Sequence, residues 1–302
     1  MISVQNVTHR YGSRTALAGV TFGVSKGEIF GLLGPNGGGK STLFRILSTM
    51  MLPSEGRTVI DGLDVDRDAA EVRRRIGVVF QSQSLDKQLT VAENLRSQGS
   101  LHGMSGSRLT ARMEQVMERL RIADRRNDLV DSLSGGLRRR TEIAKGLLHS
   151  PSVLLMDEAS TGLDPRARHE LWTFVEELRT REGVTILLTT HLLDEAGRCD
   201  RLALLHEGQI VTEGSPAEMK ARIGGDVVVL ESADTATLGG NIEARFGVRP
   251  KVVDGTVRVE IPNGHRFIAD LFEAFPGTID SVSLHKPTLE DLFIRETGAV
   301  FT

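Results

Sequence analysis

The sequence predicts an α/β domain built around a phosphate-binding loop, followed by a smaller α+β domain. Short apolar runs typical of buried strands alternate with amphipathic helical segments across residues 29–212. A glycine-rich run, Gly34-Pro35-Asn36-Gly37-Gly38-Gly39-Lys40-Ser41-Thr42, joins the first of these strands to a helix. Beyond residue 224 the order becomes strand, helix, two strands, helix and strand, with one more helix at the end. This change in pattern predicts a second, smaller unit.

Composition limits the classes of protein to which the chain can belong. It has 302 residues, of which 39% are hydrophobic and 25% charged, as in an ordinary soluble globular protein of two domains. The 37 basic and 40 acidic side chains give a net charge of −3, so no basic field indicates a nucleic-acid partner. We interpret the runs Arg73–Arg75 and Arg138–Arg140 as solvated helix faces.

The cysteine content and the apolar runs indicate a reducing compartment and no membrane span. A single cysteine, Cys199, excludes an internal disulfide framework. The first residues lack the charged and then apolar layout of a signal peptide. No apolar run approaches the ~18 residues needed to cross a bilayer. We therefore expect a cytosolic protein unless another component holds it at a membrane.

Residues 1–30 alternate apolar and polar side chains, which predicts an antiparallel β region leading into the glycine-rich loop. Tyr11 lies between the two alternating segments, in a turn-like Arg-Tyr-Gly sequence. An aromatic ring at this position is suited to stacking on a nucleobase. From this residue alone, packing on the protein surface is the simpler interpretation.

The glycine-rich run at 34–42 matches GxxxxGK[ST], the phosphate-binding P-loop. Its glycines let backbone N–H groups converge on phosphate oxygens, because positive φ is accessible and no Cβ intervenes. Lys40 supplies a positive charge for the terminal phosphates and Ser41 a hydroxyl for Mg²⁺. A buried strand, Glu28–Leu33, precedes the loop, and a helix follows it. The apolar side chains at helical spacing in that helix are Leu43, Ile46, Leu47 and Met50. These flanks favour a phosphate site over a chance glycine-rich turn.

Three further buried strands end in polar residues. These residues are Gln81 after Ile76–Phe80, Asp157 and Glu158 after Val153–Met156, and His191 after Val184–Thr190. In an α/β domain the carboxyl ends of parallel strands border the ligand crevice, so we expect these side chains to meet there. Paired carboxylates after a strand are otherwise common helix caps. The upstream P-loop favours metal binding by Asp157 instead.

The segment from Thr90 to Asp128 is predicted to be helical, inserted between strands of the sheet. A Leu-Ser-Gly-Gly-Leu sequence at 133–137 then opens another helix. Its Ser-Gly-Gly part is a second potential anion site at a helix N-terminus, and a simple N-cap explains it equally well. Asp164 and Pro165 begin the next helix as N-cap and first residue.

With these motifs the chain resembles the nucleotide-binding subunits of ATP-binding cassette (ABC) transporters over about residues 1–222. The most specific motif is Leu-Ser-Gly-Gly, which starts 24 residues before Asp157 and which ordinary P-loop enzymes lack. The resemblance implies a P-loop NTPase (ABC ATPase) domain at 1–223, with an antiparallel β subdomain and a helical subdomain at about 84–150. The βαββαβ order at 224–302 predicts a ferredoxin-like accessory or regulatory domain.

The resemblance also implies a role for each motif residue. ATP would be bound by Tyr11, by the P-loop, and, from the other subunit of a homodimer, by Ser134, Gly135 and Gly136. The P-loop residues are Gly34, Pro35, Asn36, Gly37, Gly38, Gly39, Lys40, Ser41 and Thr42. Magnesium would be held by Ser41, Gln81 and, through water, Asp157. Glu158 would be the general base and His191 would sense the γ-phosphate, assisted by Gln81 and Asp164.

Some positions depart from the family pattern. Leu137 stands where Gln or Met is usual, Ala159 where proline is frequent, and Gly38 where Ala or Ser is frequent. None of these changes removes a group that the chemistry needs, so we expect an active Mg-dependent ATPase. The tail at 286–298, Lys-Pro-Thr-Leu-Glu-Asp-Leu-Phe-Ile-Arg-Glu-Thr-Gly, resembles the C-terminal motif of daunorubicin-resistance-type exporter ATPases.

The expected function is therefore ATP hydrolysis that energises export of a drug, lipid or other small molecule. A separate integral membrane permease would hold the protein at the cytoplasmic face of the cell membrane. An importer ATPase is an alternative that the tail disfavours. A non-transport ABC ATPase of translation or DNA repair is disfavoured by the single P-loop and the absence of heptads. Intact catalytic motifs disfavour a non-catalytic regulator.

The last helix carries an apolar stripe at i, i+3 and i+4, formed by Leu289, Leu292 and Phe293. This stripe is suited to docking on the base of the ATPase domain or on the same domain of a partner subunit. Completing the core of the small domain itself is an equally good interpretation.

Overall fold

The computed structural model describes residues 1–301. The first half of the chain contains β1 (Ile2–Tyr11), β2 (Arg14–Val24), β3 (Ile29–Leu33), α1 (Lys40–Leu47), β4 (Glu55–Ile60), β5 (Leu63–Asp64), α2 (Ala69–Arg75), β6 (Ile76–Val79), α3 (Val91–Leu101), α4 (Gly106–Arg119) and α5 (Gly135–Leu147). Strands β2, β1, β4 and β5 form an antiparallel sheet in that order. The antiparallel region predicted near the N-terminus is present.

The rest of the large domain completes a second sheet. Its elements are β7 (Val153–Asp157), α6 (Pro165–Glu182), β8 (Thr185–Thr190), α7 (Leu193–Ala196), β9 (Arg201–His206), β10 (Gln209–Gly214) and α8 (Pro216–Ala221). The strand order is β10-β9-β3-β8-β7-β6, and the five strands from β9 to β6 run parallel. Strands β3, β7 and β8 are buried along their whole length, which is why they appear in the sequence as continuous apolar runs.

Helices α3 to α5 form the helical insertion that the sequence predicts. Thr90 caps α3 through a capping box with Glu93, which fixes where this insertion begins. The buried faces of α3, α4 and α5 share one apolar cluster with α6 and with one side of the central sheet. The insertion is therefore packed onto the domain, and α5 lies between the other helices and strand β6.

The C-terminal segment contains β11 (Asp226–Glu231), α9 (Thr235–Phe246), β12 (Lys251–Val253), β13 (Thr256–Ile261), α10 (Gly264–Ala274), β14 (Ser281–His285) and α11 (Leu289–Thr297). The βαββαβ element order agrees with the prediction. The four strands form an antiparallel sheet in the order β12-β13-β11-β14. Helices α9 and α10 cover it and share a separate apolar cluster with it.

Helix α11 packs on the large domain. Its residues Leu289, Leu292 and Phe293 are buried in a cluster with strands β3 and β9 and helices α7 and α8 of the same chain. The Phe293 ring meets the His206 ring edge-on, with centroids 5.3 Å apart. The same cluster includes Val227 of β11, so the stripe packs both on the ATPase domain and on the sheet of the small domain.

Two sequence interpretations were wrong. The Arg138–Arg140 run is not a solvated face, because α5 is enclosed by neighbouring elements: Arg139 is buried, and the other two donate to main-chain carbonyls. Met50 does not extend the apolar face of α1, since the helix ends at Leu47 and Met50 is exposed. Within residues 1–301, no helix has the length and apolar character that a membrane crossing requires.

Candidate active site

The predicted polar residues meet because four parallel strands end at one edge of the central sheet. The register pairs Leu33 of β3 with Thr190 of β8, and Asp157 of β7 with Thr189 of β8. The P-loop, Gln81, Glu158 and His191 follow the ends of β3, β6, β7 and β8 respectively. The sheet topology thus gathers side chains from distant parts of the sequence into one crevice.

The P-loop requires glycine at specific positions. A Cβ on Gly34 would lie 2.2 Å from the carbonyl oxygen of Leu205, so no side chain fits there. Gly39 has φ 108°, and a Cβ on it would approach the carbonyl oxygen of Ala16 to 2.8 Å. Gly39 precedes α1, and no side chain caps the N-terminus of this helix. The helix therefore presents backbone donors and the positive end of its dipole at the loop.

Lys40 is only 4% exposed and points back along the loop. Its Nζ donates to the carbonyl oxygens of Gly34 at 2.7 Å and Pro35 at 3.0 Å. The same Nζ lies 3.5 Å from Oε1 of Glu158. Burial lowers the pKa of Lys40, and the Glu158 carboxylate opposes that shift.

Three side chains from three segments converge on the Glu158 carboxylate, which is 6% exposed. Gln81 Nε2 donates to Oε2 at 3.1 Å, and Lys40 approaches Oε1. His191 Nδ1 lies 3.1 Å from Oε2, a close approach that is not a hydrogen bond. Glu158 also has a left-handed backbone, with φ 45°, a conformation that is uncommon for a residue with a side chain and that often marks functional sites.

Asp157 lies behind Glu158 and is held by the neighbouring strand. Thr189 Oγ1 donates to Asp157 Oδ1 at 2.5 Å and accepts from the backbone N–H of Glu158 at 3.1 Å. Burial raises the pKa of the Asp157 carboxyl, and the hydrogen bond from Thr189 opposes this rise because it favours the ionised form. One buried hydroxyl thus orients both acidic residues. The sequence does not indicate this role of Thr189, since threonine is an ordinary strand residue.

A cleft of about 280 Å³ opens at this edge of the sheet. The predicted residues that line it are Tyr11, Asn36, Gly37, Gly39, Lys40, Ser41, Thr42, Gln81 and Glu158. Tyr11 is 43% exposed and lines the same cleft as the P-loop, while its ring packs edge-on against His9 and its hydroxyl donates to Met51 Sδ. Arg14 and Arg45 also line the cleft and were missed in the sequence. Arg14 pairs with Tyr11 across the β1–β2 turn. The hairpin pattern in the sequence could therefore have predicted that Arg14 lies beside Tyr11.

Several predicted residues lie outside the cleft. Gly34, Pro35 and Gly38 shape the loop from behind, and Gly38 N donates to Pro35 O at 3.2 Å. Asp164 Oδ1 accepts from Ala167 N at 2.9 Å and so caps α6.

The Ser-Gly-Gly sequence also lies outside the cleft. Ser134 caps α5 by accepting from Leu137 N at 3.3 Å. Gly135 follows it at the start of the helix, and Gly136 borders a different cavity, between α5 and α6. Within this chain the Ser-Gly-Gly sequence is a helix N-terminus that does not face its own P-loop.

The donor set fits a nucleotide bound with magnesium. Positive φ at Gly37 and Gly39, the uncapped start of α1 and the Lys40 ammonium suit a polyphosphate. Ser41, Gln81 and Asp157 offer hydroxyl, amide and carboxylate oxygens, which are the ligands that Mg²⁺ prefers. Nothing in the cleft requires a softer metal or a different cofactor.

Several known proteins are similar to this chain in sequence. A family model described as "ABC transporter" matches residues 17–161. The daunorubicin resistance ATP-binding protein DrrA3 of Streptomyces coeruleorubidus is 38% identical, over 98% of this chain and 96% of that protein. The Nod factor export ATP-binding protein I of Burkholderia lata is also 38% identical, over 98% of this chain and 97% of that protein.

Solved structures show the same likeness. A dimeric ATP-binding cassette, MJ0796, in a post-hydrolysis state with ADP and Pi, is 29% identical. It superposes with a TM-score of 0.65 over 71% of this chain and 98% of that chain. The part of our chain outside this overlap is about the size of the C-terminal segment.

Proposed function

The chain belongs to the ABC transporter family of ATP-binding proteins, and from that membership and the geometry of the cleft we propose that it drives export through a separate membrane permease. It is an ATP-binding ABC ATPase subunit. The observation that carries the proposal is the convergence of Lys40, Gln81 and His191 on the carboxylate of Glu158, a residue that lines the same cleft as the P-loop.

Each residue has a role that follows from its position. The P-loop backbone and Lys40 bind the phosphates, and Tyr11 at the rim stacks on the base. Glu158 accepts a proton from the attacking water as general base. Gln81 and His191, both in contact with that carboxylate, orient it toward the phosphate. Asp164 acts indirectly, by fixing the start of α6 beside the site.

Magnesium completes the site in this proposal. Ser41 and Gln81 would hold it directly, and Asp157, which lies behind the cleft lining, would hold it through water. When bound, the ion neutralises charge on the transferred phosphoryl group. The chain's own contribution is to hold the oxygen donors in place, and the Thr189 hydroxyl does this for Asp157.

We propose that two subunits form a homodimer in which Ser134, Gly135 and Gly136 of one subunit contact the ATP of the other. The N-terminus of α5 offers backbone donors yet does not line its own cleft. The dimeric neighbour supports a two-subunit assembly. Mixing Ser134→Arg and Lys40→Ala subunits, each inactive alone, should restore part of the activity. Full activity of Ser134→Arg alone would leave this sequence as a helix cap only.

Export is proposed because two similar proteins are named for drug resistance and for Nod factor export. The cargo is expected to be a drug, lipid or other small molecule, and the site gives no reason to invoke nucleic acid. A permease partner would hold the chain at the cytoplasmic face of the membrane. We assign residues 1–223 to the ATPase domain and 224–302 to an accessory domain, since the latter has its own sheet and apolar cluster.

The experiment that tests the catalytic assignment is Glu158→Gln. We expect it to bind Mg-ATP, to hydrolyse it far more slowly, and to accumulate as a dimer in light scattering, because only the base is lost. Glu176→Gln is the control, since its carboxylate pairs with Arg198 outside the cleft. Turnover by Glu158→Gln at the wild-type rate would refute the role of this residue.

A further inference from the structure

One face of α5 carries three charged side chains that all bond to the loop after β6. Arg139, Glu142 and Lys145 are spaced i, i+3 and i+6, so each is a neighbour of the next on the helix surface. Their partners all lie in residues 80–85, the segment that contains Gln81. We name this segment the Gln81 loop. The function proposed above does not use these three residues.

Arg139 holds the first part of the loop. Its Nη1 donates to the carbonyl oxygen of Phe80 at 2.7 Å and its Nη2 to that of Gln81 at 3.3 Å. The side chain is 8% exposed, and burial lowers its pKa. A buried guanidinium is costly unless its donors are used, so both carbonyls are needed to keep it there.

Glu142 and Lys145 hold the second part. The Glu142 carboxylate, 2% exposed, accepts from Leu85 N at 3.1 Å and from Ser84 Oγ at 2.7 Å, and also from Ser84 N. Lys145 Nζ donates to Ser84 O at 2.8 Å and to Ser84 Oγ at 2.9 Å. The backbone of the Gln81 loop is thus bonded from α5 at both ends.

The loop has little else to fix it. Residues 81–84 are exposed and belong to no helix or strand. An apolar stripe on α5 would pack at lower desolvation cost, but it could not fix the carbonyl and amide groups of an irregular loop. The geometry points to Arg139, Glu142 and Lys145 as positioning residues for ATP hydrolysis, which set where Gln81 sits relative to Glu158. This inference rests on the proposed ATPase mechanism.

Helix α5 also links two parts of the site. Helix α5 begins at Ser134, the proposed contact to the partner's ATP, and the same helix fixes the loop that carries Gln81 in its own cleft. A rotation of α5 therefore carries the Gln81 loop with it. Through Arg139 the orientation of Ser134 and that of Gln81 are mechanically coupled.

The test compares Arg139→Met with Arg138→Met in the full-length protein. Arg138 is a matched control, because it also donates to two main-chain carbonyls, those of Val130 and Asp131, but not to the Gln81 loop. We expect kcat of Arg139→Met to fall about ten- to a hundred-fold, as for a misplaced catalytic group, with KM for ATP close to the wild-type value. Arg139→Lys, which retains one donor to the loop, should recover part of kcat.

Two readouts separate positioning from general destabilisation. In a Gln81→Ala background Arg139→Met should have no further effect on kcat, because the residue acts through Gln81. Amide hydrogen exchange at residues 82–85 should be faster in Arg139→Met than in Arg138→Met. Multiplicative effects on kcat, or equal exchange in both variants, would overturn the inference. An inactive wild type would instead overturn the proposed function, and the exchange comparison distinguishes the two failures.

Discussion

Thr189→Val is the substitution that most directly probes the acidic pair. The side chain is 1% exposed, and valine keeps its branched shape while removing the hydroxyl. Two interactions are lost, the hydrogen bond donated to Asp157 Oδ1 and the one accepted from Glu158 N. Glu158 N keeps a partner, since it also donates to the Thr189 carbonyl oxygen at 3.1 Å. The Asp157 carboxylate is therefore the group that loses most.

The expected size of the effect follows from the free energy of the one hydrogen bond that the Asp157 carboxylate loses. A hydrogen bond to a charged group is worth about 1.5–3 kcal/mol, so Mg²⁺ affinity should fall roughly ten- to a hundred-fold if the loss appears in metal binding. The pKa of Asp157 is already raised by burial, and the bond from Thr189 opposes that rise. Without it the pKa rises further. Protons then compete with Mg²⁺ at higher pH, so the acidic limb of the ATPase profile shifts upward.

The assay is a Mg²⁺ titration of ATPase activity at two pH values, one on the plateau of the wild-type pH profile and one on its acidic limb. Burial raises the pKa of Asp157, so protons compete with Mg²⁺ as the pH falls and wild-type protein should need more Mg²⁺ at the lower pH. Thr189→Val should enlarge this difference. Thr185→Val is the matched control: it is a fully buried threonine on the same strand, and its hydroxyl accepts from Gly27 N at 2.9 Å, away from the site.

Both threonine variants should lose stability, by about 1–3 kcal/mol, since Thr189→Val leaves the buried Asp157 carboxylate and Thr185→Val the half-buried Gly27 N–H without this hydrogen bond. Only Thr189→Val should change the dependence on Mg²⁺. If the two variants need the same Mg²⁺ concentration at both pH values, Asp157 is not oriented by Thr189 for metal binding, and the reasoning fails.

Three further predictions concern the rim of the cleft and the C-terminal domain. Phe293→Ala should lower the free energy of unfolding by about 3–5 kcal/mol in urea, whereas Phe272→Ala, 45% exposed on α10, should change it by about 0.5 kcal/mol or less. Tyr11→Ala should weaken ATP and GTP alike by about 1–3 kcal/mol in titrations, and unchanged affinities would make Tyr11 a packing residue. Truncation after Ile223 uncovers the cluster under α11, so we expect a less stable, aggregating protein; equal thermal stability and a monodisperse sample would contradict this.

Much of the fold was predictable because its signals are local. Buried parallel strands appear as apolar runs, helices as 3.6-residue periodicity, and the P-loop as a fixed spacing of glycines before Lys40. The meeting of Gln81, Glu158 and His191 was predictable as well, since each lies within two residues of the end of a parallel strand. Because the carboxyl ends of parallel strands lie at one edge of a sheet, residues that follow them are expected to be close together even when the strand order is unknown.

The rest depends on which neighbour a side chain meets. Three consecutive arginines suggest a solvated face, yet Arg139 points to carbonyls 58 and 59 residues earlier in the chain. The role of Thr189 could not be predicted either, because its hydroxyl orients Asp157 only when the two residues are paired on adjacent strands. The apolar stripe of α11 was recognisable, but periodicity gives the face of a helix and not its partner.

The partner of α11 constrains how the C-terminal domain can act on the ATPase. Phe293 and Leu292 share an apolar cluster with Leu33, the last residue of β3 before the P-loop, and with Leu204 of β9. Close-packed interiors transmit displacement, so α11 cannot shift without strain on the strand that carries the loop. The C-terminal domain is therefore packed against the catalytic sheet beside the strand that leads into the P-loop. A contact with a partner subunit or permease must use another of its faces, because the stripe is already occupied within the chain.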